Sequence, residues 1–228
     1  MNSQATAVII PVYNEASVVG SMIRLTKKSF KNIICVNDGS TDESSAAIKN
    51  AGGVLLEHAI NLGAGAATQT GIDYALLDPN NKYFITIDAD GQHDIKDAVN
   101  MLDYLKKNDL DIVLGSRFLG TVENITGMKK QFLKLAALFS ENTSGVKLTD
   151  PHVGLRVFNR RFAESLKLTM PGFAHASELV NRIGEGRYRY AELPVHVSYS
   201  DYSKAKGQSM LNAINITVDL FHHRISKK

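Results

Sequence analysis

The 228-residue chain contains a single cysteine, Cys35, so no disulfide can form within it. That residue lies in the apolar run NIICVND, where a small buried hydrophobe is expected and a reducing compartment is the default. No stretch reaches about 18 apolar residues in a row, so no transmembrane helix is expected. The N-terminal MNSQATAVIIPVYNE has no basic region ahead of its short apolar run, which argues against a signal peptide. Charge is nearly balanced: 26 basic against 23 acidic residues leave a net +3, which gives no argument for a nucleic-acid partner. Internal repeats, low-complexity tracts and long linkers are absent. What remains is an ordinary globular composition, 44% hydrophobic and 21% charged. The expected organisation is one domain over 1–210 followed by an amphipathic tail over 211–228.

Short apolar runs alternate with helical spacing along the first half. TAVIIPV, NIICVND, GVLLEH, KYFITID and LDIVLGSR read as strands. Between them, EASVVGSMIRLTKK, STDESSAAIKNAGG, GAGAATQTGIDYALL and DIKDAVNMLDYLKKN read as helices. Such alternation predicts an α/β fold with a mostly parallel sheet, because parallel strands need crossovers and helices on both faces bury them. Further on, KLTDPHVGLRVFNR predicts a loop entering a strand, and RYRYAELPVHVSYS another strand. KKQFLKLAALFSENTSG and MLNAINITVDLFHHRI carry amphipathic helical spacing.

Ligands of such sheets bind beyond the carboxyl ends of the strands. The polar clusters fall there: PVYNE, NDGSTD, NLGAG, DADGQHD and GSR. In DADGQHD, Asp88 and Asp90 stand two residues apart at a strand tip, so both point the same way. Two like charges about 4 Å apart repel by roughly 4 kcal/mol at an effective dielectric near 20. A divalent cation such as Mg²⁺ would compensate them, with Gln92 continuing the alternation as a third oxygen donor. Asp38 is a candidate hydrogen-bond acceptor for a base or ribose. Asp42 is a candidate for the same or for a helix cap. Glu15 could hold a ribose or complement a helix dipole. Gly63 and Gly65 fit a dinucleotide phosphate loop poorly, since Thr68 stands at the third glycine position.

Taken in order, VIIPVYNE, VNDGSTD, NLGAGAATQTG, DADGQHD and GSR resemble the family 2 glycosyltransferases with the GT-A fold. SGVKLTDPHVGLRVFNR and the late GQSML are similar to the polyprenyl-phosphate sugar transferases, the branch that includes dolichyl-phosphate mannose synthase. The resemblance implies a Rossmann-like sheet flanked by helices and a nucleotide-sugar site at Pro11, Tyr13, Glu15, Asp38, Gly65, Asp88, Ala89 and Asp90. It implies a metal, Mg²⁺ or Mn²⁺, on Asp88, Asp90 and Gln92. It implies that Arg117 and Arg156 receive the acceptor phosphate, and that Lys204, Lys206 and Ser209 belong to a loop closing over the phosphates. Many relatives carry transmembrane helices in the tail, and none is expected here.

The expected activity is therefore inverting transfer of a hexose, from UDP-glucose or UDP-N-acetylglucosamine, to a polyprenyl phosphate for cell-surface glycan synthesis. An ionised phosphate needs no general base. A sugar hydroxyl as acceptor would need one, and Glu178 in HASELVNRIG is the candidate. A catalytically silent nucleotide-sugar binding module is a further alternative; a nicotinamide oxidoreductase fits the glycine pattern worst. The lipid acceptor predicts a cytoplasmic protein, peripheral at the inner face of the cell membrane. Phe132, Leu135 and Phe139 beside Lys129, Lys130 and Lys134, and the terminal His222, His223, Arg224, Lys227 and Lys228, suit an anionic surface. A small membrane-protein partner or a homo-oligomer is the expected anchor; packing of both helices on the sheet is the alternative.

Overall fold

The computed structural model describes residues 5–123, 144–170 and 174–198. Strands and helices alternate through β1 (Thr6–Val12), α1 (Val19–Thr26), β2 (Asn32–Asp38), α2 (Ser44–Ala51) and β3 (Val54–His58). The alternation continues with α3 (Ala64–Leu76), β4 (Tyr83–Thr86), α4 (Ile95–Lys107) and β5 (Ile112–Glu123). After these come β6 (Arg156–Asn159), α5 (Arg160–Ser165), α6 (His175–Gly186) and β7 (Tyr190–Ser198). The helix expected after Gly127, the loop bearing Lys204, Lys206 and Ser209, and the C-terminal helix lie outside the described residues.

The strands form one seven-stranded sheet in the order β3-β2-β1-β4-β6-β5-β7. β3, β2, β1 and β4 are parallel. β6 runs antiparallel between β4 and β5, and β7 lies parallel to β5 at the far edge. Alternate residues of the central strands feed opposite cores, as a period of two requires. Val8, Ile10 and Val12 of β1 join Ile23, Ile48, Met101 and Leu105 on one face. Ala7 and Ile9 join Ile72, Phe162, Leu179 and Ile183 on the other. With both faces covered, the strands read as continuous apolar runs.

Helix ends largely follow local chemistry. Gly52 closes α2 in the left-handed region at φ 74°. Asp94 caps α4, its side chain accepting from the N–H of Lys96. α1 differs from expectation: the helix starts at Val19, not near Glu15. Asn14 sits at φ 53°, and the N–H groups of Glu15 and Ala16 donate to Ser44 Oγ at 2.9 Å and Asp42 Oδ2 at 3.0 Å. Those bonds tie the first polar turn to the second before the helix begins.

Candidate active site

The carboxyl ends of β1, β2 and β4 and the N-terminus of α3 enclose a cleft of about 290 Å³. Pro11, Tyr13 and Glu15 line it from the turn after β1, and Asp38 from the end of β2. Asp88, Ala89 and Asp90 close it from the turn after β4. Gly63 and Ala64, rather than Gly65, come from the start of α3. Gly65 faces the other way: a side chain there would meet the Met170 carbonyl oxygen at 2.7 Å and His175 Cβ at 2.8 Å. Its bareness lets α3 pack against the entry to α6.

Asp38 is buried and heavily used. Its carboxylate accepts from Leu62 N–H at 2.9 Å and Gly63 N–H at 2.7 Å, and meets His58 Nδ1 at 2.7 Å. The other ring nitrogen of His58 reaches Thr70 Oγ1 at 2.9 Å. Asp38 therefore shapes the loop before α3 while still facing the cleft. Asp42 is a brace: Oδ1 accepts from Ser44 N–H and hydroxyl, while Oδ2 accepts from Ala16 N–H.

Asp88 and Asp90 follow directly on β4, which runs on as Ile87 N–H donates to Ile9 O at 3.1 Å. Gly91 turns the chain at φ 73°, a left-handed conformation that glycine adopts without steric cost. Gln92 folds back, its N–H donating to Asp90 Oδ1 at 3.1 Å and its amide to Oδ2 at 2.6 Å. Ser198 N–H donates to Gln92 O at 3.0 Å, pinning the turn to the end of β7. The two acids are shifted in opposite directions. Burial, then the Asp88 charge, pushes Asp90 up to about 6. Enclosure by the cleft walls acts the same way on Asp88, yet His93, Arg156 and His175 outweigh it and hold that carboxyl below the usual range. His93 Nε2 lies 3.8 Å from Asp88 Oδ2, too long for a hydrogen bond.

Among the described residues, no three His, Cys, Asp or Glu side chains converge as a ready metal cage. Two acids at a strand tip instead suit a divalent cation that draws its other oxygens from a bound phosphate or water, as Mg²⁺ does. A cation would also relieve the repulsion that raises Asp90.

The two arginines have different surroundings. Arg117, in β5, grips the buried Asp150: Nε donates to Oδ2 at 2.6 Å, Nη2 to Oδ1 at 2.7 Å, and the backbone N–H to Oδ2 at 3.0 Å. Glu192 holds the other side of that loop, accepting from Thr149 N–H at 2.7 Å and Asp150 N–H at 3.0 Å. Arg156, at the start of β6, is only 3% exposed. Its Nε is buried with no hydrogen-bond partner among the described residues. Asp88 and Asp150 act on it through space, and burial still lowers its pKa from the ordinary value. A buried donor without an acceptor costs about 1–3 kcal/mol, and more when charged. Arg156 is thus the arginine equipped to receive an anion beside Asp88, whereas the fork of Arg117 is largely spent on Asp150.

Glu178 does not stand as an open base. Its Oε2 accepts from Thr169 N–H at 2.7 Å and Met170 N–H at 3.0 Å, and Oε1 from the Thr169 hydroxyl at 2.7 Å. Four histidines near the site stand outside the expected site residues: His58 against Asp38, and His93, His152 and His175. Nδ1 of both His93 and His152 is buried with no hydrogen-bond partner among the described residues. His93 and His152 sit inside the quoted motifs DADGQHD and TDPHVGLR, so their nearness in sequence to Asp90 and Arg156 was the available signal.

The sequence model of glycosyl transferase family 2 matches residues 7–167. The chain is 26% identical to the UDP-N-acetylglucosamine–dolichyl-phosphate N-acetylglucosaminyltransferase of Methanococcus voltae, over 96% of each chain. It is 27% identical to the polyprenol monophosphomannose synthase of Mycolicibacterium smegmatis, over 96% of this chain and 85% of that one. Among solved structures, glucosyl-3-phosphoglycerate synthase from Mycobacterium tuberculosis, crystallised with Mn²⁺, UDP-glucose and phosphoglyceric acid, matches with a TM-score of 0.68. That match is 16% identical and covers 96% of this chain and 79% of that one, so the likeness is one of fold. The expected GT-A arrangement, a mostly parallel sheet flanked by helices, is the one observed.

Proposed function

The chain belongs to glycosyl transferase family 2, and on that premise we propose that it moves a hexose from a nucleotide sugar to a polyprenyl phosphate. The observation that carries the acceptor is Arg156, a buried guanidinium whose Nε lacks a hydrogen-bond partner among the described residues, lying within electrostatic reach of Asp88. A phosphate monoester supplies the anion such a group requires, and guanidinium can grip it with two parallel hydrogen bonds. The names of the Methanococcus and Mycolicibacterium relatives, a dolichyl-phosphate and a polyprenol-monophosphate enzyme, support the same acceptor class.

In this reading the nucleotide lies in the cleft, with Asp38, Glu15 and Tyr13 around it and its diphosphate towards Asp88 and Asp90. A divalent cation held by those two acids, Mg²⁺ or Mn²⁺, supplies neutralisation of the charge that grows on the diphosphate. Arg156 orients the acceptor and cancels the repulsion between two phosphorylated substrates. An oxygen of the acceptor phosphate forms the new bond to the anomeric carbon. The bond from that carbon to the diphosphate breaks, and its electron pair leaves with the nucleotide. Single displacement inverts the sugar. The acceptor oxygen is ionised, so no side chain removes a proton, which agrees with the occupied oxygens of Glu178.

UDP-glucose or UDP-N-acetylglucosamine is the donor we favour, the latter in line with the name of the Methanococcus relative. Contact with the lipid is proposed to be peripheral, at the inner face of the cell membrane. Among the described residues no helix is long and apolar enough to cross a membrane. The test is a radiolabel assay of UDP-glucose, UDP-N-acetylglucosamine and GDP-mannose against polyprenyl phosphate and the matching unphosphorylated polyprenol. Label should pass to the phosphate alone; equal transfer to the alcohol would refute the acceptor assignment.

A further inference from the structure

We propose that His152 is a second ligand of the acceptor's phosphate, contacting it from the loop before β6 while Arg156 grips it from the strand. The inference rests on reading the acceptor as a lipid phosphate. His152 lies midway along a short loop that is fixed at both ends. Asp150 is locked by Arg117 and by Glu192. Gly154 is locked by its carbonyl, which accepts from Thr86 Oγ1 at 3.0 Å, and it abuts the Asp88 carboxylate. Nδ1 of His152 and Nε of Arg156 are both buried and both without a hydrogen-bond partner among the described residues. Nitrogens in that state, four positions apart on one segment held at both ends, are buried polar groups that the oxygens of an arriving ligand would satisfy.

The surrounding charges say which ligand. Asp150 from its own loop, Arg156 from β6, Arg117 from β5 and His175 from α6 all act on the imidazole. Asp150 is the one acid among them, and it is engaged by Arg117. Burial first, and then the positive groups, push His152 down to about 4. In the ligand-free site the ring is therefore neutral at ordinary pH. A phosphate dianion reverses that balance: its charge favours the imidazolium, which gains a donor, so binding draws in a proton.

Inorganic sulfate is a suitable probe, since it is a tetrahedral dianion that does not itself titrate in this range. Its affinity for the full chain is measured by calorimetry at about pH 5.5 and 7.5, with acceptor kinetics alongside. Wild type should bind sulfate roughly tenfold more tightly at the lower pH, the change expected if the bound dianion returns His152 from about 4 to the ordinary imidazole value of about 6.5. His152→Gln should lose most of that dependence and should lose acceptor kcat/KM while keeping the donor KM. His152→Asn serves as a second variant, with circular dichroism checking the fold of each. Unchanged pH dependence in a folded variant overturns the inference, as does absence of sulfate binding to wild type. If Arg156→Gln abolishes sulfate binding and His152→Gln changes nothing, only the role of His152 fails. If Arg156→Gln leaves sulfate binding and lipid transfer intact, the acceptor reading itself fails.

Discussion

Gly154 lies directly against the carboxylate of Asp88, so that a methyl group on its Cα would overlap both carboxylate oxygens. The Thr86 hydroxyl fixes the Gly154 carbonyl from the neighbouring strand at 3.0 Å, leaving the backbone little room to retreat. Gly154→Ala should therefore displace Asp88 rather than unfold the sheet. A displacement near 1 Å at a reacting site can cost on the order of 100-fold in rate. Transfer assays should show that loss with a near-wild-type circular dichroism spectrum.

Asp90→Asn removes one of two repelling acids from a partly enclosed site. Its melting temperature should equal or exceed that of wild type. Transfer should fall on the order of 100- to 1,000-fold, the range seen when one electrostatic stabiliser of a transition state is removed. A calorimetric melt paired with product assay checks both halves.

The raised pKa of Asp90 sets a pH dependence for cation binding. Below about 6 the carboxyl is protonated, so a divalent cation competes with a proton. Mn²⁺ affinity should fall as pH drops through 6, by up to roughly tenfold per unit, and level off above it. Titrations between pH 5 and 8 read this directly, and Asp90→Asn should flatten the curve.

Two substitutions near the arginines should part stability from function. Asp150→Asn strips Arg117 of its ionised bidentate partner, a loss of about 3–5 kcal/mol. Arg156→Gln removes a buried charge whose Nε has no hydrogen-bond partner among the described residues, so its unfolding midpoint should hold or rise. Chemical denaturation of both variants tests the contrast.

Glu178→Gln should keep transfer within a few-fold of wild type, since its oxygens hold Thr169 and Met170. The cost should appear as slightly reduced stability, about 1 kcal/mol for weakened hydrogen bonds at a partly exposed site. Loss of transfer without loss of stability would favour a hydroxyl acceptor and a carboxylate base.

The legible part of this molecule was local. Apolar runs ending in Pro11, Asp38 and Asp88 mark strand tips because a strand's burial and its polar exit are written in adjacent residues. Non-local features were hidden. β6 slips antiparallel between β4 and β5 from a segment more than 30 residues past β5, and nothing near either strand encodes that neighbour. Arg117 and Asp150, 33 positions apart, pair through that same arrangement. The family resemblance alone places Gly65 at the cleft; the neighbours its missing side chain admits, Met170 and His175, arrive from over 100 positions away. The burial of the His93 and His152 ring nitrogens likewise depends on walls that local pattern does not describe.

Steady-state kinetics of wild type and Arg156→Gln, with nucleotide sugar and polyprenyl phosphate varied in turn, test the central claim most directly. An anion-binding guanidinium beside the acidic pair predicts a fall on the order of 100-fold in kcat/KM for the lipid, the loss expected of about 3 kcal/mol of charged hydrogen bonding, with the donor KM little changed. Equal kinetics for the two proteins, or a defect confined to the nucleotide sugar, would contradict it.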